Sequence, residues 1–215
     1  MDARASGDGA ADSAIDSPPG PDAPVTGSLT GSHDSADGLA VNLTAEGTTD
    51  WAEWGMTAAT DFNHSLGGGG KIANATPINT TTVYGYGNAY MQAGNDGFSW
   101  ADGTPTAATT SAQYSGIYVA GQTRGLETTV PAGTTQRTLK LYVGGYFAAG
   151  TLTAHLSDGS APDYVDSTLG SVSSSYAGVY TLVFRSTSPS ATLTVRWVQN
   201  SNSGGDVNWS AASLY

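Results

Sequence analysis

"TLKLYVGG" (residues 138–145) and "TLTAHLSDG" (residues 151–159) decide the fold. Leu139, Leu141 and Val143 alternate with Lys140 and Tyr142, and Leu152, Ala154 and Leu156 alternate with Thr153 and His155. A period of two places one set of side chains on a buried face and the other on an exposed face, as in a half-buried antiparallel strand. The pattern recurs in "YTLVFRST" (180–187), where Tyr180, Leu182 and Phe184 share one phase, and in "TLTVRWVQ" (192–199), where Leu193, Val195 and Trp197 do. "GLAVNLTAEG" (38–47) and "DVNWSAASLY" (206–215) read as the first and last strands. Shorter strands are expected at 96–101, 106–112, 115–120 and 124–130. The best helical stretch, "WAEWGMTAAT" (51–60), is interrupted by Gly55.

About ten short strands separated by Gly, Asp and Ser turns predict an all-β antiparallel β-sandwich of jelly-roll type. The Gly- and Asn-rich stretch 61–95 lacks clear alternation and reads as long loops, where function tends to sit on such scaffolds. Residues 1–37 contain no aromatic side chain and are mostly Ala, Asp, Ser, Gly and Pro. They read as a disordered acidic tether, with the sandwich domain spanning 38–215.

Only 12% of residues are charged, so hydroxyls and amides carry solubility. The net charge is −11, and residues 1–40 hold seven of the 18 acidic side chains against one of the seven basic ones. With no basic patch, nucleic acid and anionic membrane are poor partners. The absence of cysteine excludes disulfides, zinc–thiolate sites and a cysteine nucleophile. No apolar run reaches the length of a transmembrane helix. Met1 leads straight into "DARASGDGAAD", which reads as a start in place of a removed export signal.

Chemical motifs are sparse. "GGGGKI" (67–72) has Ser65 where a P-loop needs its early glycine and Ile72 where it needs a hydroxyl, so it reads as plain loop. "GYGNAY" lacks the third glycine of a dinucleotide fingerprint. There is no G-x-S-x-G elbow, and the three histidines, His33, His64 and His155, follow no set spacing. Asp50, Glu53 and Asp61 could supply a carboxylate pair for glycan cleavage, against the plainer reading of solvated strand-end acids. Asp158, Asp163 and Asp166 in "SDGSAPDYVD" offer hard oxygen ligands for a structural Ca²⁺, against the plainer reading of a turn, and Asp206 with backbone carbonyls of the first and last strands offers a second calcium arrangement.

The aromatics are the strongest signal. Five Trp and eleven Tyr outnumber four Phe, and both combine an apolar face with a polar handle. A sugar ring offers C–H groups on one face and hydroxyls at its edge, so an aromatic plane rimmed by polar groups suits it. Trp51, Trp54, Tyr90 and Trp100 are the stacking candidates, with Asn63, His64 and Asn95 as hydrogen-bonding partners. Tyr146 lies at a strand end. Trp197 and Trp209 share the inward phase and read as core. On a strand Trp51 and Trp54 would face opposite ways, one buried and one partly exposed.

The run from "LTAEGTTDWAEWG" through "FSWADGTPT", "RTLKLYVGGY", "GTLTAHLSDGSAPDYVD", "YTLVFRS" and "TLTVRW" to "AASLY" resembles a bacterial β-sandwich accessory module. Its strand pattern over 38–215 is similar to that of jelly-roll carbohydrate-binding modules. The resemblance implies a non-catalytic, extracellular module that binds polysaccharide or cell-surface glycan, and it brings no ligand residues with it. The tail resembles the spacers that follow the lipidated cysteine of bacterial surface lipoproteins, which implies a lipid anchor. An inter-domain linker accounts for it equally well. The alternatives are a structural or adhesive surface protein that self-associates through low-charge edge strands, and a small glycan-cleaving enzyme.

Overall fold

A computed structural model describes residues 26–87, 96–201 and 204–215. The period-two stretches form the frame: β10 (Gly125–Pro131), β11 (Arg137–Leu156), β13 (Gly170–Arg185), β14 (Thr192–Gln199) and β15 (Asp206–Leu214). Two layers result. The first runs β1 (Ser28–Ser35), β13, β11, β15. The free side of β15 is then shared between two strands. Ala211–Leu214 pair with β3 (Asp50–Trp54), which continues to β4 (Phe62–Ser65) and β8 (Gly103–Thr104). Asp206–Trp209 pair with β9 (Ile117–Ala120), which continues to β6 (Tyr84–Gly85). The second layer runs β5 (Thr76–Ile78), β10, β14, the far half of β11, and β12 (Tyr164–Asp166).

The 20-residue β11 therefore belongs to both layers. It changes sheet where its pairing with β13 shifts between Tyr146 and Ala148, and the intervening Phe147 has a φ of 49°. Bulges are the usual device by which a strand turns such a corner. The expected alternation is met in detail: Leu139, Leu141, Val143, Leu152, Ala154 and Leu156 all enter the core between the layers. Tyr180, Trp197 and Trp209 join them.

The first layer has a second buried face. β2 (Ala40–Asn42) pairs in parallel with β7 (Gly97–Ser99), and with α1 (Leu43–Glu46) they form a cap over part of its outer surface. Ala36, Leu43, Phe98 and Trp100 from the cap side pack on Trp51, Tyr142, Val179 and Ala211 of the sheet.

Several expectations are corrected. The body begins before residue 38: β1 runs antiparallel to β13 over all eight of its residues, and Leu29 packs against the main core. Its weak apolar content misled the reading, because an edge strand needs few inward side chains. "GLAVNLTAEG" is a three-residue strand followed by α1, whose N-cap Asn42 accepts a 3.1 Å bond from the Ala45 N–H. Residues 50–54 are strand, which agrees with the absence of a convincing helical stripe in 51–60. Residues 106–112 form turns and loop rather than a strand, and 61–95 holds the short strands β4, β5 and β6.

"GGGGKI" wraps a buried carboxylate. Asp50 is fully buried and accepts bonds from the Ile72 N–H (2.9 Å), the Ser65 hydroxyl (2.7 Å) and the Trp51 N–H (2.9 Å). A Cβ at Gly68 would fall 2.1 Å from that carboxylate, so the loop can close over it only with glycine there.

Candidate functional site

Trp51 and Trp54 lie on opposite faces of β3, as an odd spacing requires, but both are buried. Trp54 packs in the main core with its ring centroid 5.7 Å from Trp209, and its Nε1–H donates to Asn74 Oδ1 at 2.9 Å. Trp51 sits under the cap, 5.2 Å from Trp100, and donates to Asp102 Oδ1 at 2.9 Å. Trp100 is also buried and donates to the Thr106 carbonyl at 2.9 Å. With both faces and the indole N–H occupied, none of the three is a stacking platform. The cap buries the outward-facing tryptophan, and no periodicity in the sequence announces a cap.

Asn63 is buried and serves the interior. Its amide donates to Glu53 Oε2 at 2.9 Å, and its carbonyl accepts the Thr106 N–H at 3.0 Å. His64 is half-buried, with Nδ1 3.1 Å from the Ser65 carbonyl. Tyr90 and Asn95 lie outside the described residues.

The three carboxylates considered for Ca²⁺ do not converge. Asp158 accepts bonds from the hydroxyls of Ser186 (2.6 Å), Ser160 (2.9 Å) and Thr187 (2.9 Å), which hold it well below the usual carboxylate range. Asp163 pairs with His155 Nδ1 at 2.6 Å. Asp166 accepts from Thr168 (2.7 Å) and Tyr180 (2.9 Å). Among the described residues no group of three or more His, Asp or Glu side chains is arranged to hold a metal ion.

The carboxylates weighed for glycan cleavage are not arranged around an open site. Asp50 and Glu53 are fully buried on β3. Burial pushes Glu53 up to about 7, against the hydrogen bonds from Ser115 and Asn63, and the nearby Asp61 adds to the rise. Asp61 closes a surface turn, accepting from the Thr57 N–H (2.8 Å) and the Ala58 N–H (2.9 Å).

What the fold leaves open is the other half of the first layer's outer face. On β11 the outward positions are Lys140, Tyr142, Gly144 and Tyr146. The cap covers Tyr142, and Tyr146 is 45% exposed. Gly144 stands opposite Asn208, which stands opposite Tyr118, which stands opposite Tyr84. Tyr146 stands opposite Asp206, and Asp206 opposite Ala120. Val207, between Asp206 and Asn208, is fully buried in the core, so its two neighbours face outward.

The strip that results has an aromatic group at each side. Tyr84, 48% exposed, stacks on Tyr118 at 5.1 Å and 22°. Tyr146 meets Phe147 edge-on at 4.6 Å. From β6 to β11 is three strand spacings, about 14 Å. Between the aromatics lie the Asn208 amide and the Asp206 carboxylate, both half-buried. A Cβ at Gly144 would fall 2.8 Å from the Asn208 side chain, so the missing side chain is what lets the amide lie across β11. Burial raises Asp206 to about 6, leaving it ionised at neutral pH. Sequence reading singled out Tyr146, took Asp206 only as a possible Ca²⁺ ligand, and missed Tyr84, Tyr118 and Asn208. With Tyr146 these residues come from four separated segments, and only the strand register brings them together.

The chain matches no protein-family model and no curated protein in sequence. Two solved structures are similar to it in part. One is TmCBM61 in complex with β-1,4-galactotriose, at 9% identity and a TM-score of 0.42 over 66% of this chain and 88% of that one. The other is the enzymatically active domain of tailspike protein 4 of bacteriophage CBA120, at 12% identity and a TM-score of 0.36, over 66% of this chain and 19% of that one.

Proposed function

We propose that this β-sandwich is a non-catalytic carbohydrate-binding module of the cell exterior and that its glycan lies along the strip from Tyr84 to Tyr146. The observation that carries the reading is the register: two aromatic groups flank an amide and a carboxylate on one sheet face that the cap formed by β2, β7 and α1 does not cover. Sugar C–H faces rest on the tyrosines, while hydroxyls at the ring edge donate to Asp206 and exchange hydrogen bonds with Asn208. The span suits a short oligosaccharide lying across the strands. Export to the cell surface agrees with the hydroxyl-rich composition and with the acidic, Pro-containing tail.

Aromatic stacking on a planar ring contributes about 1–3 kcal/mol per ring in nucleic-acid systems, and a similar scale applies here. The test is retention on immobilised polysaccharides. Tyr84→Ala and Tyr146→Ala should each weaken binding by about tenfold, as loss of one such ring implies. Both residues are exposed, so the thermal midpoint should hardly move. Full retention by the double variant Tyr84→Ala/Tyr146→Ala on every glycan that the parent binds would overturn the reading. Concentration-dependent assembly of a parent that binds no glycan would favour a structural surface protein instead.

A further inference from the structure

A second feature of the same sheet face lies on the far side of the cap. Between α1 and the outer face of β11 is a cleft of about 410 Å³, lined by Leu39, Val41, Asn42, Glu46, Lys140 and Tyr142 among others. Lys140 Nζ is 2.5 Å from Glu46 Oε1, and the Tyr142 hydroxyl donates to Glu46 Oε2 at 2.8 Å. Tyr142 is itself buried under the cap, so Glu46 is pinned from below. Partial burial works against the charge on Lys140, but the hydrogen bond and charge of Glu46 outweigh it and hold the ammonium above its ordinary value. The wall of the cleft is apolar: Leu39 is 41% exposed there, and Val41 stands beside it.

We infer that this cleft is a second saccharide site, which takes a single neutral sugar through two adjacent ring hydroxyls. An immobilised Lys–Glu pair puts a donor beside an acceptor. A vicinal diol is its complement: one hydroxyl accepts from the ammonium while its neighbour donates to Glu46 Oε2, since Oε1 is turned inward against Lys140. The pair is neutral as a whole, so it attracts neither anions nor cations strongly. Leu39 and Val41 give the C–H face of the ring an apolar wall. Because Tyr142 fixes Glu46 in advance, little side-chain freedom is lost on binding. The site is separate from the tyrosine strip. Lys140 and Tyr146 are six residues apart on β11, about 20 Å, with capped Tyr142 between them.

The experiment is a titration of the full chain, observed by its backbone amide NMR signals, with methyl glycosides of glucose, galactose, mannose and fucose, and with inorganic phosphate as a control. At least one glycoside should move the signals of Asn42, Glu46 and Lys140 in a saturable way. Lys140→Met and Glu46→Gln should each weaken that response at least tenfold while their thermal melts stay near the parent's. Tyr84→Ala, which tests the strip alone, should leave it unchanged. No response to any glycoside, a response untouched by Lys140→Met, or a stronger response to phosphate than to sugar would each overturn the inference. Loss of the response in Tyr84→Ala would overturn the separation of the two sites.

Discussion

Replacing Glu53 by glutamine should stabilise the domain at alkaline pH and flatten its pH dependence. Glu53 is fully buried between β3 and the segment around Ser115, and burial lifts it from the 4.5 of an unperturbed glutamate to about 7. A carboxyl whose folded value is raised binds its proton more tightly folded than unfolded. Stability from this group is therefore fully present below about pH 4.5, falls as the pH climbs towards 7, and stays low above that. At 1.36 kcal/mol per tenfold change in proton affinity, the loss is about 3 kcal/mol. Glutamine keeps the shape and both bonds. Its carbonyl can accept from the Asn63 amide, and its NH₂ can donate to the Ser115 hydroxyl, which accepts as readily as it donates. Urea unfolding of parent and Glu53→Gln at pH 5 and pH 8 is the assay. Because pH 5 already lies above 4.5, the parent should lose roughly 2–3 kcal/mol more than the variant between the two. Asp96, raised by burial to about 7, and Asp206 slope the same way in both proteins and drop out of the comparison. Parallel pH curves, or a variant less stable than the parent at pH 8, would refute the reasoning. Either would mean that Glu53 is ionised in the folded state and held by charge-assisted bonds.

Three further predictions follow from described geometry. Glycan retention on the strip should strengthen as pH rises from 5 to 7.5, because Asp206 titrates near 6 and only its carboxylate form accepts from two hydroxyls; Asp206→Asn should bind weakly and independently of pH in a retention assay across that range. Deleting residues 26–35 should lower the thermal midpoint by several degrees, since it strips β1 from the edge of β13 and uncovers the core beside Leu29, whereas a midpoint equal to that of the intact chain would restore the boundary at 38. Chelator or added Ca²⁺ should leave the melt unchanged, because Asp158, Asp163 and Asp166 are each engaged by separate partners; a Ca²⁺-dependent rise of several degrees would show that they regroup around an ion.

The frame was legible wherever apolar residues alternate over five or more positions. β11, β13, β14 and β15 were read in the correct phase, and Trp197 and Trp209 were placed in the core. Local signals failed where burial is decided by tertiary cover. Trp51 faces the outer side of its sheet, and a strand pattern alone would leave that side to solvent. It is buried because α1, just upstream, and β7, far downstream, fold over it. Trp100 is buried on the cap side against Trp51, and Asn63 is buried through its bonds to Glu53 and to the segment at Thr106. The tyrosine strip was invisible for the opposite reason. Tyr84 and Tyr118 lie on a two-residue and a four-residue strand, too short for periodicity to mark; Asn208 reads as ordinary polar phase, and Asp206 as a calcium ligand rather than part of a sugar surface. Strand register, which no single-strand pattern encodes, decides which of these side chains become neighbours.

The central place of β15 has a consequence for how the chain reaches its native state. β3, β9 and β11 all hydrogen-bond to residues 206–214, so three strands made early must wait for partners made late. β3 alone spans a separation of some 160 positions to its partner. Pairings so distant in sequence are slow to find, because a long loop must close before any contact rewards it. During that interval Trp51 and Trp54 ride on an unpaired edge, an exposed apolar ribbon available to another nascent chain. A ribosome stalled before β15 should therefore carry a sticky, unfinished sheet, and folding yield should be governed by how quickly this one strand docks.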